Sequence, residues 1–135
     1  MASNLKIAQN TAQLQAAALV GSVTNSSQVQ IYSGSQPATP ETALSGNTLL
    51  ATITLPASSA FTSSNGVMTA AAISNVTIAA TGTASFFRWT ESNGTTVIAD
   101  GSIGTSGCDM NLNSVALSAG ATLATTAFTF TIPSS

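Results

Sequence analysis

The chain has 135 residues, of which 44% are hydrophobic and only 4% charged, and its formal net charge is −2. With no histidine and one cysteine, it cannot build a Ser-His-Asp triad, a histidine-containing zinc site or a 2-His-1-carboxylate iron site. Two cations, Lys6 and Arg88, cannot supply the basic patch that nucleic acid demands.

Ala, Ser and Thr together supply nearly half of the chain. Disorder is not the expectation, because disordered chains are poor in apolar residues and rich in charge, whereas mean hydropathy here is +0.36. No stretch approaches the roughly 20 apolar residues of a membrane span, and Met1 to Gln15 lacks the basic and apolar regions of a signal peptide. A single cysteine fits folding in a reducing cytoplasm. The expectation is one non-enzymatic domain with a neutral surface, bound neither to nucleic acid nor to a membrane, and needing no cofactor or metal.

In chain order, residues 1–27 read as an arm and 28–135 as the folded domain. Ala8 to Val20 (AQNTAQLQAAALV) lacks Gly and Pro and is rich in helix formers, with Asn10 and Gln13 spaced as a capping box and Gly21 at the C-cap position. Leu14, Ala17 and Ala18 share one face of that helix with Ile7. About 13 residues are marginal as a free helix, so this face is expected to dock on the chain's own sheets or on a neighbour, and it is the candidate attachment arm.

From Gln28 the period becomes two. Val29 and Ile31 alternate with Gln28, Gln30 and Tyr32, and Ser33 to Gly46 then reads as a loop broken by Pro37 and Pro40. Leu49 to Leu55 is a strand, Pro56 to Gly66 a Ser-rich connection, and Val67 to Ala72 and Ser74 to Ala80 are two short strands. Ala84 to Glu91 (ASFFRWTE) turns at Asn93-Gly94 and returns through Thr95 to Ala99, a strong hairpin signal. Asp100-Gly101 is expected to turn again. Ser102 to Thr105, Asp109 to Asn113 and Val115 to Ser118 follow as short strands, and Thr122 to Ile132 as a long last one. Many short strands without intervening helices predict a mainly β fold: an antiparallel, jelly-roll-like β-sandwich preceded by one short helix.

Arg88 shares a strand face with Phe86 and Thr90, while Phe87 and Trp89 share the other. Its expected role is a structural ion pair with Asp100 or Asp109; the alternative is contact with an acidic partner surface. Asp100 and Asp109, beside turn glycines, are expected to cap local backbone. Asp109, Asn111 and Asn113 alternate along a strand, but the oxygen count falls short of a calcium loop. Cys108 reads as a small packing residue. Trp89, Tyr32 and the phenylalanines read as core, with a sugar-binding platform as the alternative.

Two stretches, IYSGSQPATPETALSGNTLLATITL (Ile31 to Leu55) and TGTASFFRWTESNGTTVIADGSIGTSGCDMNLN (Thr81 to Asn113), together with the FTFTIP tail, resemble small β-sandwich structural proteins of bacteriophage virions. The resemblance implies a virion component assembled in the host cytoplasm. The expected role is capsid decoration (cement), as a homo-oligomer contacting the major capsid protein or another virion protein. A tail or connector component, or a carbohydrate-binding module that contacts host glycans, is the alternative.

Overall fold

A computed structural model describes residues 26–55, 61–64, 67–71, 75–123 and 127–131. The described residues are mainly β and contain no helix. The expected helix, with Leu14, Ala17 and Ala18, lies outside them.

The centre is a five-stranded sheet, ordered β2-β1-β7-β8-β9, that curls into a half-barrel. Its strands are β1 (Gln28–Tyr32), β2 (Leu49–Thr54), β7 (Phe86–Thr90), β8 (Val97–Gly104) and β9 (Met110–Asn111). Directly paired residues put their side chains on one face, so register assigns the faces. Val29 pairs with Ile53 and Trp89, and Ile31 with Ala51 and Phe87, which makes one face continuously apolar. Those six residues are at most 2% exposed.

The β7–β8 hairpin closes where the Asn-Gly pair predicts. Glu91 N donates to Thr96 O at 2.9 Å, the Asn93 Oδ1 accepts the N–H groups of Thr95 and Thr96, and Gly94 takes φ +74°, a left-handed value that favours glycine. The turn expected at Asp100-Gly101 is absent, because β8 runs unbroken through both residues. Gly101 is needed for another reason: a Cβ there would collide with Cε1 and Cζ of Phe87, its partner across the ladder. The last pairing departs from the antiparallel expectation. β9 runs parallel to β8 and pairs at only two positions, Ile103 with Met110 and Gly104 with Asn111.

Four short strands form two further ladders: β5 (Val76–Thr77) with β11 (Thr122–Leu123), and β6 (Gly82–Thr83) with β10 (Ala116–Leu117). Of the expected strand Ser74 to Ala80, the described residues are strand only at Val76 and Thr77. Beyond them the backbone turns to other partners: Ala79 N donates to Leu50 O at 2.7 Å, and Ile78 N to Ala121 O at 2.8 Å. Ile78, Leu117 and Leu123 join Val29, Ile31, Leu50, Ile53, Phe87 and Trp89 in one buried cluster.

A three-stranded sheet, β3 (Phe61–Ser64), β4 (Val67–Ala71) and β12 (Ala127–Thr131), completes the described fold. Strand β3 falls inside the expected Ser-rich connection. Its last residue, Ser64, pairs with Val67 of β4. The polar sequence FTSS hid the strand. Within the expected long last strand, Thr122 to Ile132, the described residues form β11 and β12, which pair with different partners.

Candidate functional site

Opposite the apolar face, the central sheet carries its polar residues in cross-strand rows. Gln30, Arg88 and Asp100 form one row, and Tyr32, Phe86 and Ser102 the next. Arg88 grips Asp100 through two parallel bonds, Nε to Oδ1 and Nη2 to Oδ2, both 2.8 Å, with the side chains 7% and 2% exposed. This is the bidentate fork that guanidinium geometry suits. The bond to Asp100 holds the Arg88 guanidinium above its already high ordinary pKa, against the opposing effect of burial.

The same guanidinium reaches outside the sheet. Its Nη2 also donates to Thr42 O at 3.1 Å, in the connection between β1 and β2. That connection is tied down elsewhere: Asn47 Nδ2 donates to Ser33 O and Ser35 O, and Ser85 Oγ donates to Gly34 O. Beside it, Tyr32 stacks on Phe86 with ring centroids 5.4 Å apart, and Tyr32 Oη donates to Gln30 Oε1 at 2.9 Å. Gln30 Nε2 in turn donates to Gly94 O and Gln28 Oε1. Burial pushes the Tyr32 phenol above its ordinary pKa, and Asp100 adds to the rise while Arg88 opposes it. Arg88, held by Asp100, thus ties the β1–β2 connection to the sheet at Thr42, while the Gln30–Tyr32 pair ties the sheet to the β7–β8 turn at Gly94.

Asp109 is engaged elsewhere. Its Oδ2 accepts from Ser102 N at 2.8 Å and Ser102 Oγ at 2.9 Å, so it completes the hydrogen bonding of β8 rather than capping its own turn. Asp100 likewise caps no turn, because its partner is the arginine across the ladder. Asn111 Oδ1 accepts from Cys108 N at 3.1 Å. Among the described residues no group of three His, Cys, Asp or Glu side chains is placed to hold a metal. Cys108 packs against Gly104, where an added Cβ would lie 2.6 Å from its Sγ. Trp89 offers no face to a sugar: it is fully buried, and its indole N–H donates to the buried Ser27 Oγ at 3.1 Å. Tyr32, Phe86 and Phe87 are buried as well. Leu14, Ala17 and Ala18, the candidate attachment arm, lie outside the described residues.

Sequence reading missed the loop's side of this arrangement. Thr42 contributes a backbone oxygen, which leaves no trace in residue type. The Gln28-Gln30-Tyr32 alternation was the available signal, since it marks a polar face that something polar must meet. A recess of about 260 Å³ lies at the β10–β11 turn, lined by residues including Ile78, Ala116, Leu117 and Leu123.

Compared with protein-family models, curated proteins and solved structures, the chain matches none.

Proposed function

We propose that this chain is a non-enzymatic structural protein of a bacteriophage virion, a capsid decoration protein that binds the outside of the major capsid shell as a homo-oligomer. The observation that carries this reading is the fate of charge. Arg88, the only Lys or Arg among the described residues, is consumed in a buried pair that holds a loop to a sheet. What the described surface offers a partner is mainly Ser, Thr, Ala, Asn and Gln, alongside the acids Glu41 and Asp109 and the half-buried Glu91. Such a surface favours attachment through shape fit, backbone hydrogen bonds and small apolar contacts, repeated over many copies. Low net charge also lets identical copies crowd together without strong repulsion.

The finer fold belongs to the same proposal. We read the short β5–β11 and β6–β10 ladders as the second layer of a jelly-roll-like sandwich, supported by the shared cluster that joins Ile78, Leu117 and Leu123 to the central sheet.

The test is co-sedimentation of the purified chain with undecorated capsids at about 50 mM and about 1 M salt, conditions between which exposed ion pairs are strongly screened. Equal binding at both salts, at a stoichiometry near that of the capsid protein, is expected. Binding confined to a single ring per particle would favour a tail or connector component. No binding to capsids would overturn the decoration reading.

A further inference from the structure

An asparagine followed by glycine is open to attack by its own main chain, because glycine brings no Cβ to shield the backbone nitrogen beside the amide. The chain contains two such pairs, Asn65-Gly66 and Asn93-Gly94, and the second falls within the described residues. Asn93 is exposed at the β7–β8 turn, as are Ser92, Thr95 and Thr96, so water and hydroxide reach its amide.

The reaction open to this pair is deamidation. Gly94 N gives its proton to hydroxide and bonds to Asn93 Cγ. The Cγ–Nδ2 bond breaks, and Nδ2 leaves as ammonia after taking a proton from water. Water then opens the cyclic imide. Cleavage at Cγ gives aspartate; cleavage at the backbone carbonyl carbon gives isoaspartate, in which the main chain runs through the side chain.

The closed hairpin holds every group this reaction needs. Gly94 N donates its proton to Glu91 O at 2.9 Å. Asn93 Oδ1 accepts from Thr95 N and Thr96 N, both at 2.9 Å, and Nδ2 donates to Thr96 Oγ1 at 2.8 Å. The side-chain amide is therefore drawn forward along the chain, while the attacking nitrogen is drawn back toward Glu91. Such local side-chain to backbone bonds are what asparagine brings to a turn. Gly94 O also accepts from Gln30 Nε2 at 3.1 Å, which anchors the turn to β1. Nucleophile and Cγ can combine only after these bonds are released together, which is local opening of the hairpin.

We infer that Asn93 is a deamidation site gated by the β7–β8 turn, latent while the hairpin is closed and converted to aspartate or isoaspartate when it opens. The inference does not depend on the virion reading. Aspartate keeps the acceptor for Thr95 N and Thr96 N, loses the donor to Thr96 Oγ1, and adds a negative charge to a turn that already holds Glu91. Isoaspartate lengthens the main chain between residues 93 and 94 and displaces Gly94 O from Gln30. Each copy of the chain thus keeps a one-way record of how often its hairpin has opened.

Peptide mapping by mass spectrometry, after incubation of the full chain in mildly alkaline buffer, reads conversion at Asn93 separately from Asn65. The folded chain should convert at least about tenfold more slowly than the same chain unfolded in guanidinium chloride, since only the minor open population reacts. Thr96→Val removes the acceptor of Nδ2 and should speed conversion in the folded chain by about threefold, with no effect on the unfolded one. Thr96→Ser, which keeps the hydroxyl, should stay near the wild-type rate. Circular dichroism shows whether each variant is folded, and should Thr96→Val fail to fold, the wild-type comparison decides by itself. Equal rates in the folded and unfolded chain, a faster rate in the folded chain, or no conversion at Asn93 in guanidinium would each overturn the inference. A folded Thr96→Val that converts no faster than wild type would overturn it too.

Discussion

Arg88 and Asp100 stand directly opposite each other on antiparallel neighbours, and their side chains meet in two bonds of 2.8 Å. The pair is nearly excluded from water, so neither member is easily removed alone. Taking away one partner of a buried pair strands the other charge, at a cost of about 3–5 kcal/mol. Arg88→Ala and Asp100→Asn should each destabilise the fold on that scale in urea titrations, and Glu41→Gln by no more than about 0.5 kcal/mol. Replacing both members together, Arg88→Met with Asp100→Leu, should cost less than either single change. A melting temperature unmoved by Arg88→Ala would show that the fork does not hold the loop.

Trp89 supplies a second test of the interior. Its indole N–H is buried against Ser27 Oγ, the side chain of a residue that is itself fully buried. Ser27→Ala removes that acceptor from a buried site and should cost about 1–3 kcal/mol. Trp89→Phe in the Ser27→Ala background should then cost less than Trp89→Phe alone. Thermal denaturation of the four proteins measures the coupling.

Gly101 separates a packing need from a turn need. A methyl group there meets the Phe87 ring in the core, so Gly101→Ala should destabilise by about 1–3 kcal/mol through overpacking. Phe87→Leu made together with Gly101→Ala should recover part of that loss by freeing the space. Gly107→Ala meets no atom within 4 Å and is strained only by its φ of +69°; it should not respond to Phe87→Leu. An equal response of both glycine variants would contradict the packing explanation.

Alkali should weaken the fold through Tyr32. Its phenol is raised above the ordinary value by burial, so the folded chain keeps a proton that the unfolded chain releases. That contribution is complete below about pH 10, the value of an unperturbed tyrosine, and is lost as pH climbs through the folded-state pKa. Urea midpoints measured between about pH 9 and 12 should fall, and less steeply for Tyr32→Phe. This is the chain's only tyrosine, so the difference between the two curves isolates it.

The sequence by itself determined the β class and most strand positions, because alternation between two faces is a local property and is written in residue order. Val29 and Ile31 were legible as one strand face for that reason, and Trp89 as core because so few large side chains are available to fill an interior. The Asn93-Gly94 hairpin was legible too, since a left-handed turn needs only the residues that form it. Partners were not. Whether Arg88 met Asp100 or Asp109 depended on the register of β8, and an Asp-Gly pair reads as a turn until Phe87 from the neighbouring strand is seen to require the glycine. Strand β3 was invisible for a related reason: FTSS has little apolar pattern of its own, and hydrogen bonds to β4 make it a strand. Only the tertiary structure decided these matters, because each rests on contacts between residues far apart in the chain, whose free energy appears once both sides are brought together.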